Sequence, residues 1–219
     1  MSYGIDKSTL PHGLWLWLMR HGETPWNRDR RLQGRKDVPL NACGRSQARE
    51  ASQYLRDSQI TSIYSSPLSR AKETANIIAD ERGMLVEVER DLAEISHGDW
   101  EGLRPEDIPD YDLWKHNPKA CDKPNGESLI DFEQRVVNAF EKIFNRHRDE
   151  PSPTVLVVAH QVTIQVLLCN IAGVDVEHFW YFEQDNCALN LITYDNEGVP
   201  TLKASNIVCW KPPSAIVAA

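Results

Sequence analysis

Hydrophobic and polar positions follow two different periods along this chain. Short, densely apolar runs at residues 14–20, 60–65, 85–89 and 154–159 predict strands. Residues 44–57, 68–82 and 162–172 instead carry a helical period, the last stopped by Gly173. The clearest helix follows Asn125-Gly126-Glu127-Ser128, where Leu129, Phe132, Val136, Phe140, Ile143 and Phe144 recur at helical spacing. Its apolar face must cover a sheet. Runs at 188–194 and 201–208 flank Asn196-Glu197-Gly198 and predict an antiparallel hairpin. Strands alternating with helices predict an α/β fold of three layers, α/β/α, with a mainly parallel sheet and one antiparallel edge.

Residues 103–125 break this rhythm. They hold four prolines, Pro105, Pro109, Pro118 and Pro124, among several charges, and predict an excursion over the sheet edge. Residues 1–13 and 211–219 show little periodicity and are expected to be loose tails around an ordered core of about 14–210. With no internal repeat or dividing linker, the 219 residues are expected to form a single domain.

Composition narrows the range of partners. The formal net charge of -8 disfavours a nucleic acid or an anionic membrane, so any anion site must be local. Five scattered cysteines without a CxxC pair argue against a disulfide scaffold or a zinc cage. The apolar run 14–19 is shorter than a signal-peptide core, and no span approaches the length that crosses a bilayer. A cytoplasmic location is expected. The exposed ends of strand-rich segments permit a homodimer without requiring one.

The candidate chemistry sits where the first strand breaks into a glycine turn, at Arg20-His21-Gly22. Strand ends opening into polar loops display reactive groups, and an arginine beside a histidine suggests a nucleophile built to meet a phosphate. A neutral imidazole attacks through one ring nitrogen while a backbone carbonyl holds the other. His160 follows the apolar run 154–159 in the same way, and Arg70 falls in the first turn of a helix preceded by Ser65-Ser66-Pro67. Two strand-ending histidines could bind a metal, but no third ligand falls nearby with recognisable spacing. Neither a metal nor a cofactor is expected.

The blocks LMRHGETPWN, RLQGRKDVPLN, SSPLSRAKETA, EISHGDWEG, NGES and VVAHQ resemble, in order, those of the histidine phosphatase (phosphoglycerate-mutase-like) superfamily, over about Leu18 to Gln161. That resemblance implies a histidine acid-type phosphatase, metal-independent, in which His21 is transiently phosphorylated. Arg20, Arg70 and His160 align with the phosphate pocket, and Asn27 with an amide donor in it. Glu94 occupies the general-acid position, where apolar surroundings and the incoming phosphate would favour the neutral acid. Asp99 and Glu101 are competing carboxylates of structural character. His97 is either a contact to the leaving group or a packing residue.

Gln33 and Gly34 fall in the family's substrate loop, beside Arg31 and Arg35. Where the family often has glycine after its second histidine, this chain has Gln161, a further amide donor in place of the usual backbone contact. The compact stretch between the Glu94 block and NGES resembles phosphatases more than cofactor-dependent mutases. The segment 178–182, followed by Asp185-Asn186-Cys187-Ala188, resembles the tail of metal-independent phosphoserine phosphatases. A small phosphomonoester, phosphoserine first, is the implied substrate. The alternatives are a phosphoglycerate mutase and a binding module without turnover.

Overall fold

The computed structural model describes residues 13–210. The two expected tails lie outside the described residues, apart from Gly13. One six-stranded sheet runs β3-β2-β4-β1-β5-β6. Its strands are β1 (Trp15–Arg20), β2 (Ser62–Ser65), β3 (Val86–Val88), β4 (Thr154–Ala159), β5 (Leu189–Tyr194) and β6 (Pro200–Ile207). The first four are mutually parallel, and β5 and β6 form the antiparallel side.

The central strand β1 shows why the sheet needs two helical layers. Leu14, Leu16 and Leu18 belong to one buried cluster, whereas Trp15, Trp17 and Met19 belong to the other. Side chains alternate across a strand, so both faces of β1 are apolar and both must be covered. Helices α5 (Leu129–His147) and α6 (Gln161–Ala172) cover the leucine face. Helices α2 (Ala42–Tyr54) and α3 (Ser69–Asp80) cover the other with small residues, Ala48, Ala51, Ala71 and Ala75, which make room for Trp15 and Trp17. Caps set the helix ends. The Asn41 side chain accepts from Gly44 N, that of Ser128 from Asp131 N, and Gly173 leaves α6 at φ 65°.

Register positions the chemistry. Arg20 pairs with Ala159 and Ser65 with Val158, so His21, Ser66 and His160 emerge side by side at the carboxyl ends of three adjacent parallel strands. Open α/β sheets place ligands at that edge. The proline-rich segment folds over the carboxyl edge of the sheet. Its short helix α4 (Tyr111–His116) buries Trp114, and Pro105, Tyr111 and Trp114 wall a cavity over the strand ends. A four-residue helix α1 (Pro25–Arg28), closed by a Thr24–Asn27 capping box, forms another part of the rim. Among the described residues no helix is long and apolar enough to cross a membrane.

Candidate active site

A cavity of about 340 Å³ opens above the strand ends, with Arg20, His21 and Arg70 among its lining residues. His21 itself is 3% exposed. Its Nδ1 lies 2.7 Å from the Gly22 carbonyl oxygen, which can only accept, so the ring proton sits on Nδ1 and the Nε2 lone pair is the reactive one. Gly22 is needed for packing. A β-carbon there would meet the Gly44 carbonyl oxygen at 2.5 Å, while Gly22 N donates to Thr74 Oγ1 at 3.0 Å. Burial, followed by the charges of Arg70 and Arg20, holds the His21 pKa well below 6.5. The imidazole is therefore neutral near pH 7.

Arg70 is almost fully buried in the first turn of α3. Asp37 Oδ1 accepts Ser69 N at 2.7 Å, supplying from a distant loop the cap that Leu68 cannot. The guanidinium spreads over three acceptors: Nη1 to Lys36 O and Nη2 to Gly34 O, both at 2.8 Å, and Nε to His21 Nε2 at 3.2 Å. Arg20 Nη1 donates to Gln184 O at 2.5 Å, and its Nε is buried without a protein partner. Desolvation lowers both arginines to about 10, which leaves both charged at neutral pH.

His160 packs beside His21. It is wholly buried, its ring centroid 5.2 Å from that of His21 and its Nε2 2.6 Å from Ser66 Oγ. Burial and the adjacent Arg70 hold it neutral as well. Its Nδ1 has no protein partner.

Glu94 lines the cavity, but its surroundings correct the expectation of an apolar niche. Its Oε1 accepts from Ile95 N, Thr163 N and Thr163 Oγ1 at 3.1 to 3.2 Å, and its Oε2 accepts from Val162 N at 3.1 Å. The physical reason is the start of α6, whose His160 N-cap makes no side-chain cap bond. The orphan N–H groups of Val162 and Thr163 turn to Glu94 instead. Arg135 of α5, which the sequence reading missed, clamps the turn that presents Glu94 by donating to the carbonyls of Asp91, Ala93 and Glu94 at 2.6 to 3.2 Å. Arg35 adds a bond to the same Glu94 carbonyl at 2.6 Å.

The amides on the rim have readable orientations. Asn27 Oδ1 accepts from Thr24 N at 3.1 Å and Thr24 Oγ1 at 3.0 Å, which leaves its Nδ2 for the cavity. Gln33 also lines the cavity, its side-chain amide 3.0 Å from Thr24 Oγ1. Gly34 takes φ +49°, and a β-carbon there would collide with the Glu101 carboxylate. Gln161, the first residue of α6, reaches the cavity too. Asp99 binds Asn125 Nδ2, and Glu101 accepts from Arg35 N and His97 N, so both carboxylates brace loops.

His97 lines the cavity, is buried, and is held at about 3 by desolvation and the nearby Lys123 charge. Its ring meets Trp114 edge to face at 5.8 Å, and Lys123 Nζ lies 4.0 Å from the Trp114 ring centroid. Trp26, Arg30, Tyr111 and Trp114 complete the wall without having given a sequence signal beyond residue type. The aromatic run divides. Phe179 is core, Trp180 lines the cavity and Tyr181 is exposed.

Residues 16–208 match the histidine phosphatase superfamily, branch 1. The chain belongs to that superfamily. It is 35% identical to phosphoserine phosphatase 1 of Hydrogenobacter thermophilus, over 89% of this chain and 92% of the relative. It is 31% identical to adenosylcobalamin/alpha-ribazole phosphatase of Escherichia coli, over 87% and 95%. The structure of Bacillus stearothermophilus YhfR superposes with a TM-score of 0.83 at 32% identity, covering 89% of this chain and 98% of that one. The mixed sheet with its antiparallel edge is the fold of these histidine phosphatases, and the chain is an enzyme of that superfamily, phosphatase or mutase.

Proposed function

We propose that the protein hydrolyses a small phosphomonoester, phosphoserine first, through a phosphohistidine on His21. The observation that carries this reading is the neutral His21 Nε2 in a cavity that also holds two charged guanidinium groups. Nε2 attacks phosphorus in line, the P–O ester bond breaks, and the leaving alkoxide takes a proton from Glu94, which is protonated in the substrate complex beside the negative charge of the phosphate. Glu94 Oε2, which accepts fewer protein donors than Oε1, is the oxygen that carries it. Arg20, Arg70 and the Asn27 amide meet the charge on the equatorial oxygens. Water then attacks phospho-His21, Glu94 takes its proton, and inorganic phosphate leaves. His160 supports this floor from beneath, and no metal or cofactor enters any step.

Serine as the leaving group suits the outer cavity. Arg30 and Arg31 at the rim offer partners to a carboxylate, and the rings of Trp26, Tyr111, Trp114 and Trp180 offer faces to an ammonium. Gln33, Gly34 and Gln161 contact the ester between these groups. The five cysteines, each unpaired, suit a reducing, cytoplasmic compartment. A phosphate-release screen over small phosphometabolites tests the reading. Phosphoserine is expected to show the highest kcat/KM. A tenfold preference for another ester, or transfer of label between phosphoglycerates faster than release, would replace it.

A further inference from the structure

Beneath the Arg20-His21 pair runs a band of side-chain amides. Gln184 and Asn190 exchange hydrogen bonds at 3.0 and 2.8 Å, and Asn190 Nδ2 also donates to Leu18 O at 3.2 Å. The Gln184 carbonyl is the one that holds Arg20. In this band Asn186 reaches furthest toward the reacting atoms. Its Nδ2 donates to the His21 carbonyl at 3.2 Å and to Asn27 Oδ1 at 3.4 Å. Cys187 N donates to the same His21 carbonyl at 3.2 Å, and Trp210 Nε1 fixes the Asn186 carbonyl at 2.7 Å.

We propose that Asn186 is a positioning residue: one amide ties the backbone of the nucleophile His21 to the side chain of Asn27, keeping the attacking nitrogen and the phosphoryl-binding amide in register. The local backbone is built for this. Cys187 takes φ +53°, a conformation that a β-carbon disfavours, and that turn aims two successive donors at one carbonyl. Thr24 holds the Asn27 amide only to its own helix cap, whereas Asn186 joins it to the end of β1. Thr24 N and Asn186 Nδ2 both donate to Asn27 Oδ1, so the side-chain amide cannot flip without setting Nδ2 against these two N–H groups.

The proposal rests on the phosphatase reading, and its test separates the two. Asn186→Ala and Asn186→Asp are compared with wild type for kcat and KM on 4-nitrophenyl phosphate, orthovanadate affinity and thermal midpoint. Small displacements of reacting groups cost about 100-fold, so Asn186→Ala should lose roughly 10- to 100-fold in kcat with KM within about threefold and fold retained. The Asp variant turns a donor into an acceptor facing two oxygens and should be no better. In the double variant with Asn27→Ala the losses should not multiply, because the two amides act as one unit. Retention of wild-type kcat in Asn186→Ala, or losses that multiply in the double variant, would overturn the proposal. Should the Asn186 variants fail to fold, Trp210→Phe keeps an aromatic ring there and removes the indole N–H that anchors the Asn186 carbonyl. A partial loss of kcat at unchanged KM is then expected, and full kcat would overturn the proposal. A wild type that binds vanadate without hydrolysing phosphomonoesters would remove the phosphatase reading, and the Asn186 effect on vanadate affinity would still decide positioning.

Discussion

Arg70 Nε donates to His21 Nε2 across 3.2 Å, so the guanidinium proposed to bind the phosphoryl group occupies the lone pair of the proposed nucleophile in the free protein. The same side chain anchors the substrate loop through the Gly34 and Lys36 carbonyls. Lysine cannot reproduce a planar fork with three such bonds. Arg70→Lys should therefore lower kcat/KM by about 100- to 1,000-fold, the range seen when one transition-state donor is removed. Steady-state kinetics within threefold of wild type would show that the charge alone is sufficient.

Glu94 caps the α6 N-terminus and, in the proposed mechanism, also protonates the leaving group. Glu94→Gln should reduce hydrolysis of an alkyl ester such as phosphoserine by about 100-fold or more, because general acid catalysis is worth roughly that much for a poor leaving group. With 4-nitrophenyl phosphate, whose phenolate needs no proton, the loss should be far smaller. Equal losses on both esters would assign Glu94 to helix capping alone. The amide would also set N–H groups against Val162 N, so the thermal midpoint should fall.

Three buried histidines make stability depend on pH. His21, His97 and His160 are all held below the ordinary 6.5, His97 at about 3, while in the unfolded chain each titrates normally. Below pH 6.5 the unfolded chain binds protons that the folded chain refuses, so stability falls as pH drops, by up to about 1.4 kcal/mol per pH unit for each histidine. Denaturant unfolding at pH 7 and pH 5 measures this directly. The same shift keeps His21 nucleophilic in mild acid, so the acid limb of kcat should lie well below 6.5. Stability that is flat between pH 7 and 5 would show that these rings are solvated.

Chelators should leave turnover unchanged. No three His, Cys, Asp or Glu side chains gather as a cation site among the described residues, and the proposed charge stabilisation rests on guanidinium groups. Loss of activity on dialysis against EDTA, restored by a divalent ion, would require a different mechanism.

Much of this arrangement was legible in the residues themselves. Strands that are apolar on both faces announced a covered parallel sheet, and β1 and β4 are each followed by a histidine that the parallel register sets side by side. The environment of Glu94 was not legible, since three of its four donors come from the start of α6, 68 and 69 residues away in sequence. Nor was the partner of His160, a hydroxyl contributed from another strand end by Ser66. Trp26, Tyr111 and Trp114 carry no periodic signal; Trp26 reaches the cavity from α1, and the folding of the proline-rich segment over the strand ends brings Tyr111 and Trp114 to it. Asn186 and Arg135 act on backbone carbonyls, acceptors that every residue possesses and no motif marks.

The central claim is covalent capture of the phosphoryl group by His21. Rapid mixing with phosphoserine or 4-nitrophenyl phosphate, an alkaline quench that preserves phosphohistidine, and mass spectrometry of the peptide containing Arg20-His21-Gly22 tests it most directly. The account predicts a phosphoryl group on His21 that forms and decays at rates compatible with turnover, and its absence, together with activity, in a folded His21→Ala. Turnover that persists in that variant, or a phosphoryl group on another residue, would contradict it.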